Sequence, residues 1–340
     1  MKRYGNLVGV ALLASLFLSD ASAGLFRNRD TQEPASTASA ACDPQIPAIS
    51  SGYGSDGPYK PDIETVDNPA FRKPVQVFFP AGAPGKRPVI FFSHGYGPGD
   101  WDTYKDLIQH MVSVGEVVVF SGYPMIRASN DERYDDLWQG FKAAADKYGD
   151  RMDLTQVGFV GHSFGGGATP AMAYRGLVQQ GWGKQGAFLM ELAPWYAFQI
   201  TDAQMQQYPA GTLQLVEVYD KDDTNDHRMG IDIYKSTKLA ANYFVMVHSG
   251  TVAGCELTAD HATPGQNPSL RQKQYAVFRP FDMLADAAFS GSAAARQALT
   301  GFGTGEAYQP LSLVTAPVPD QPESYYRNPW SDPKNPRTGH

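Results

Sequence analysis

Val157-Gly158-Phe159-Val160-Gly161-His162-Ser163-Phe164-Gly165-Gly166-Gly167 is the stretch on which the reading of this chain turns. An apolar run leads into Gly-x-Ser-x-Gly, and a run of small residues continues from it. The pattern predicts a strand, a sharp turn and a helix, with Ser163 at the apex. Glycine two positions to either side lets neighbouring backbone approach where a Cβ would clash, so the serine hydroxyl is lifted above the end of a sheet. A five-residue pattern of this kind also occurs by chance. The strand before it and the small-residue helix after it are the context that makes Ser163 a nucleophile rather than part of a plain glycine-rich turn.

Outward from this point the chain alternates between two periodicities. Val75 to Phe79, Val89 to Ser93, Val117 to Phe120, Ala187 to Glu191, Leu213 to Tyr219 and Tyr243 to Val247 are short apolar runs, as expected of strands covered on both faces. Tyr104, Leu107, Ile108 and Met111 share a helical face that stops at Gly115, and Tyr134, Leu137, Phe141, Ala144 and Tyr148 share another that stops at Gly149. Helical pattern returns between Leu270 and Phe289. The fold class expected is therefore α/β, a mostly parallel sheet with helices on both faces. Residues 1–23 read as a signal peptide: Lys2 and Arg3 precede an apolar stretch, and Ala21-Ser22-Ala23 offers a cleavage site. Residues 24–60 read as a flexible arm, 61–305 as the catalytic domain, and 306–340 as a Pro-rich extension, extended or disordered.

A serine needs a base to take its proton, and in sites of this kind the acid and then the histidine follow it in the chain. Of seven histidines, His94 and His162 sit in glycine turns and read as structural. His110 is expected on the solvent side of a helix, His248 ends an apolar strand, His227 lies in the acidic loop and His340 is terminal. His261, in a polar loop after the last of these strands, is the expected base. Asp220-Lys221-Asp222-Asp223 follows Leu213 to Tyr219 and should supply the orienting carboxylate. Asp223 best fits strand, turn, acid, with Asp220 and Asp222 as alternatives. Two N–H groups should hold the oxyanion: that of Phe164, directly after the nucleophile, and that of Tyr96 in Ser93-His94-Gly95-Tyr96-Gly97.

The formal charge of −7 and the absence of a basic run argue against nucleic acid as a partner. The apolar stretch at the start is too short to span a bilayer comfortably, and no later run is long enough. The acidic loop lacks the glycine and distal glutamate of an EF-hand, so no metal is expected, nor any other cofactor. Cys42 and Cys255 allow one pairing, expected as a disulfide in an oxidising compartment, secreted or periplasmic.

Gly161 to Gly167 resembles the nucleophile elbow of bacterial cutinase-like polyester hydrolases, members of the α/β-hydrolase superfamily, which usually carry Met where Phe164 stands. Gly95-Tyr96 is similar to their oxyanion loop, Ala193-Pro194-Trp195 to the segment whose tryptophan borders their cleft, and Glu256 to Pro264 to the stretch with their histidine. The resemblance covers about Val75 to Pro264. It departs at Val216-Glu217-Val218-Tyr219, where the family is Gly- or Ala-rich, in a longer segment between Asp223 and His261, and in Cys42, which lies far upstream of the family's disulfide. The resemblance implies an ester hydrolase of the cutinase and dienelactone-hydrolase-like group, acting through an acyl-enzyme on a small or polymeric ester. Tyr96, Trp195 and Trp101 would line the substrate. The rivals are a peptidase or amidase on the same scaffold, and a non-catalytic binding protein.

Overall fold

In the computed structural model of the protein, residues 42–97, 99–302 and 308–337 are described below. The expected signal segment lies outside these residues.

The sheet has nine strands in the order β1-β2-β4-β3-β5-β6-β7-β8-β11. They are β1 (Pro61–Val66), β2 (Val75–Pro80), β3 (Arg87–Ser93), β4 (Val117–Ser121), β5 (Met152–His162), β6 (Gly186–Leu192), β7 (Leu213–Tyr219), β8 (Ala241–Val247) and β11 (Leu311–Leu313). From β4 to β8 all pairings are parallel, while β1, β2 and β11 add antiparallel edges. A separate hairpin joins β9 (Gly250–Val252) to β10 (Cys255–Leu257). The strand runs expected from sequence all form. Those not foreseen are β1, β9, β10 and β11, none of which has the solid apolar pattern of the parallel core.

Helices cover both faces. α1 (Lys105–Ser113), α5 (Arg279–Phe289) and α6 (Ala293–Gly301) bury their apolar stripes on one side, with Leu107, Ile108, Met111, Phe281, Leu284 and Leu299 in one core. α2 (Asn130–Tyr148), α3 (Phe164–Ala173) and α4 (His227–Ser236) do so on the other, with Tyr134, Leu137, Phe141, Ala168 and Ile233. α2 begins at a capping box in which Ser129 and Glu132 satisfy each other's backbone N–H, a device that stabilises a helix start by about 1 kcal/mol.

Chain order sets where a site can form. From β3 the chain crosses to β4 on one side and returns to β5 on the other. The connections therefore diverge at the carboxyl ends of β3 and β5 and leave a crevice there. Ser93 ends β3 and His162 ends β5, so the two glycine turns open into this crevice.

Both regions expected to be loose are packed where described. In the N-terminal arm, Cys42 is bonded to Cys255, Ile46 is fully buried, Tyr53 donates to Asp286 at 2.6 Å and Gly54 N–H to Asp282 at 2.7 Å. The disulfide spans 213 residues, and the chain-entropy view assigns a loop of that size about 5 kcal/mol of unfolded-state destabilisation. At the other end, β11 pairs with β8, and residues 320–337 run back across the molecule. Trp330 packs tilted against Tyr196, ring centres 5.4 Å apart, and buried Arg337 pairs with Asp202 and Asp232. The low hydropathy of these segments disguised the few anchoring side chains that hold them.

No helix among the described residues is long and apolar enough to cross a membrane.

Candidate active site

Ser163 sits between β5 and α3 with φ 56° and ψ −119°, a left-handed conformation that a residue with a Cβ rarely adopts. The neighbouring glycines make the turn feasible. A Cβ on Gly161 would lie 2.2 Å from Gly165 O, and one on Gly165 would lie 2.0 Å from Ser93 O. The turn is locked by Ser163 O, which accepts from Gly167 N–H at 3.0 Å and Trp195 N–H at 2.8 Å. Ser163 N–H donates to Leu192 O at 2.9 Å.

His261 completes two contacts. Its Nε2 is 2.9 Å from Ser163 Oγ, and its Nδ1 is 2.8 Å from Asp222 Oδ2. With a carboxylate at Nδ1, that nitrogen carries the proton, leaving Nε2 as the acceptor that faces the hydroxyl. Asp222 is 1% exposed. Burial works against its ionisation, but His261 and the backbone N–H groups of Thr224 and Asn225 outweigh this and hold its carboxyl below the usual range.

The carboxylate that reaches His261 is thus Asp222 rather than Asp223. Asp223 turns to solvent and pairs with Arg327 at 2.6 Å. Both follow the same strand, but successive side chains in an extended turn face opposite ways, so one residue of register exchanges the site for the surface. Asp220 has another task. It accepts from Ser249 N–H at 2.9 Å and Ser249 Oγ at 2.6 Å, and that Oγ in turn accepts from Ala259 N–H at 2.9 Å. Asp220 therefore braces the segment leading into His261.

The Gly95-Tyr96 turn lies against Ser163: a Cβ on Gly95 would be 3.3 Å from Ser163 Cβ. Gly95 O accepts from Tyr123 Oη at 2.8 Å and from His94 Nδ1 at 2.7 Å. In a trans peptide C=O and N–H point opposite ways, so pinning this oxygen inward turns the Tyr96 N–H away from the two donors. Phe164 opens α3, where the first N–H groups of a helix have no partner within it.

A second chain of hydrogen bonds ties these turns together. Gly95 N–H donates to Tyr104 Oη at 2.9 Å, Tyr104 Oη lies 2.8 Å from His162 Nδ1, and His162 Nε2 lies 2.9 Å from His261 O. A carbonyl only accepts, so Nε2 carries the proton and Tyr104 donates to Nδ1. His162 is buried. Burial drives its pKa down to about 3, which keeps it a neutral relay between two loops. His94 is likewise buried, with a pKa lowered by burial to about 4, and stacks on Tyr123 at 4.2 Å.

The aromatic residues divide. Trp195 is half-buried and close to Phe164, ring centres 5.8 Å apart, and Tyr96 stands 59% exposed with its ring 6.1 Å from that of Phe164. Both flank the elbow at Phe164. Trp101 packs 5.0 Å from Phe78 in β2, in the core of the other face. The structure brings Trp195 and Tyr96 to Ser163 but not Trp101, because the turn before α1 folds it back toward the sheet edge.

Among the remaining histidines, His110 is buried, not solvent-facing as expected. Its nitrogens are 2.9 Å from Asp56 and 2.9 Å from Asp282. His227 is buried at the start of α4 against Asp320 and Tyr219 O, and exposed His248 reaches Ser312. His340 lies outside the described residues. One neighbour of Ser163 was missed from sequence: Asn225, whose Nδ2 is 3.4 Å from Ser163 Oγ. Only its proximity to the acid could have flagged it.

No group of three or more metal-ligating side chains with suitable geometry occurs among the described residues. No protein-family model matches the chain, and no curated protein matches it.

Proposed function

We propose that the protein is a secreted serine hydrolase of the α/β-hydrolase type that cleaves carboxylic esters through an acyl-enzyme. The observation that carries this reading is the unbroken contact from Asp222 through His261 to Ser163 Oγ, at 2.8 and 2.9 Å, on a serine held at positive φ.

In the first step His261 Nε2 takes the Ser163 proton as Oγ bonds to the ester carbonyl carbon, and the N–H groups of Tyr96 and Phe164 hold the oxyanion. The tetrahedral intermediate collapses, the C–O bond to the alcohol breaks, and His261 returns the proton to the leaving oxygen. Water, deprotonated by the same nitrogen, then attacks the acyl-enzyme carbonyl and restores Ser163. Asp222 keeps the imidazole in the right tautomer and balances its transient positive charge. Exposed Tyr96 and half-buried Trp195 favour an apolar or aryl acyl group. Secretion is supported by the sequence of residues 1–23 and by a disulfide, which persists in oxidising compartments.

The test is hydrolysis of p-nitrophenyl acetate, butyrate and octanoate beside Ser163→Ala. Turnover by the wild type and a loss of about a thousandfold or more in the variant are expected. Equal inertness of both on esters would sink the esterase reading. Turnover of a peptide with the same acyl group but not of the ester would point to an amidase.

A further inference from the structure

Loop 222–226 presents two groups to the centre of the site, and only one of them belongs to the Ser-His-Asp chain. Asp222 Oδ1 accepts from the backbone N–H of Thr224 at 2.7 Å and of Asn225 at 3.2 Å, closing a tight turn. This turn aims Asp222 at His261 and Asn225 at Ser163. Asn225 is 3% exposed. Its Nδ2 lies 3.0 Å from Ala193 O and 3.4 Å from Ser163 Oγ. The Ala193 carbonyl can only accept, so the NH2 end of the amide must face it, and the second N–H of that group serves the serine.

The far side of the amide is held by the C-terminal segment. Asn328 Nδ2 donates to Asn225 Oδ1 at 3.5 Å, and backbone bonds run from Asn328 N to Thr224 O at 2.8 Å and from Asp226 N to Asn328 O at 3.2 Å. Arg327 N–H donates to Asp223 O at 2.6 Å, and Trp330 N–H to Asp226 Oδ2 at 2.9 Å. The turn bearing Asp222 and Asn225 is therefore strapped along one edge by residues 327–330.

We propose that Asn225 is a further catalytic residue, its side-chain amide donating to Ser163 Oγ, with Asn328 as the positioning residue that holds it there; this rests on the serine-hydrolase reading above. A serine hydroxyl has one proton and two lone pairs. With one lone pair occupied by Asn225, the proton is directed to His261 Nε2. As that proton leaves, negative charge grows on Oγ and the same N–H bond strengthens. In deacylation Oγ is the leaving atom and again gains charge before His261 returns the proton. Asn225 transfers no proton and is unchanged over the cycle.

The experiment is the second-order rate at which a fluorophosphonate labels Ser163 in the full chain, with ester kinetics alongside and circular dichroism as the check on folding. Wild type should label. Asn225→Ala and the shape-conserving Asn225→Asp should label about ten- to a hundredfold more slowly, with kcat reduced and KM little changed. Asn328→Ala should lose a few-fold in the same sense. Wild-type labelling by either folded Asn225 variant overturns the proposal, and so does failure of both to fold, since the amide would then be structural. Absence of labelling in the wild type is a different failure: it removes the serine-hydrolase reading itself.

Discussion

Among the histidines held by aspartates at hydrogen-bond distance, His261 and His110 do opposite things. His261, at the carboxyl end of the sheet, has Asp222 on Nδ1 and the Ser163 hydroxyl on Nε2. His110, in the last turn of α1 and close in sequence to the start of β4, has Asp56 on Nδ1 and Asp282 on Nε2. A carboxylate on one nitrogen leaves the other free to accept a proton. Carboxylates on both require both nitrogens to be donors, so the ring is held as a cation. Burial alone would lower the pKa of His110, but Asp282 and Asp56 together outweigh it and push it up to about 9. What makes an Asp–His pair a base is the second partner, not the pair. His110 instead ties the N-terminal arm, through Asp56, to α5, through Asp282.

The largest effect should come from the acid that serves His261. Asp222→Asn should lower kcat on a p-nitrophenyl ester by about 10⁴-fold, because the amide favours the wrong tautomer. Asp223→Asn, which removes only an exposed ion pair with Arg327, should stay within about threefold of wild type. Reversal of these two results would show that the loop shifts register when substrate binds.

On the other side of the comparison, His110→Ala should leave activity per folded molecule intact while destabilising the fold by about 3–5 kcal/mol, since Asp282 is left buried without its cation. Urea unfolding followed by fluorescence reads this. A large loss of kcat with unchanged stability would mean the two sites are coupled.

Tyr104→Phe probes the relay between the Gly95-Tyr96 turn and His261. It strands Gly95 N–H and His162 Nδ1, at a cost of about 1–3 kcal/mol. The expected fall in kcat, of about tenfold, should exceed any change in KM. Unchanged ester kinetics in a folded variant would show that the relay serves stability alone.

The smallest effect is graded with pH. His110 titrates at about 9 folded against 6.5 as its ordinary value. A basic group with a raised pKa contributes stability that is fully present below 6.5 and lost as pH rises through about 9. Buried Glu116, beside it and near Arg87 and Asp282, has its carboxyl pushed up to about 8 by burial, with Asp282 adding to the rise. It stays protonated at neutral pH and loses stability in the same direction as it ionises. Thermal unfolding should therefore fall by several degrees between pH 7 and 10, most of it below pH 9. His110→Gln should flatten that slope. A slope unchanged in the variant would assign it to Glu116.

The parallel core was legible because strands buried on both faces must be apolar throughout, as Val117 to Phe120 and Leu213 to Tyr219 are. The elbow was legible because its glycines answer a steric demand with no other solution. His110 was misjudged for a reason equally physical. Helical periodicity identifies the apolar stripe, and a histidine beside it reads as exposed unless its carboxylate partners are known. Here they come from residues 54 and 172 positions away. Cys42–Cys255, by contrast, needed only arithmetic, since two cysteines permit one bridge.

The sequence by itself determined the strand–turn–helix at Ser163, the alternation that builds the sheet, and the choice of His261 as the histidine that meets Ser163. All of these depend on local sterics and on burial patterns that run continuously along the chain. Only the tertiary structure decided that Asp222 rather than Asp223 faces His261, that Trp101 leaves the site, and that Asn225 enters it. It also decided that residues 42–60 and 308–337 pack against the domain. Each of those outcomes depends on one residue of register or on a few anchoring contacts across more than a hundred residues of chain, and neither leaves a periodic trace in sequence.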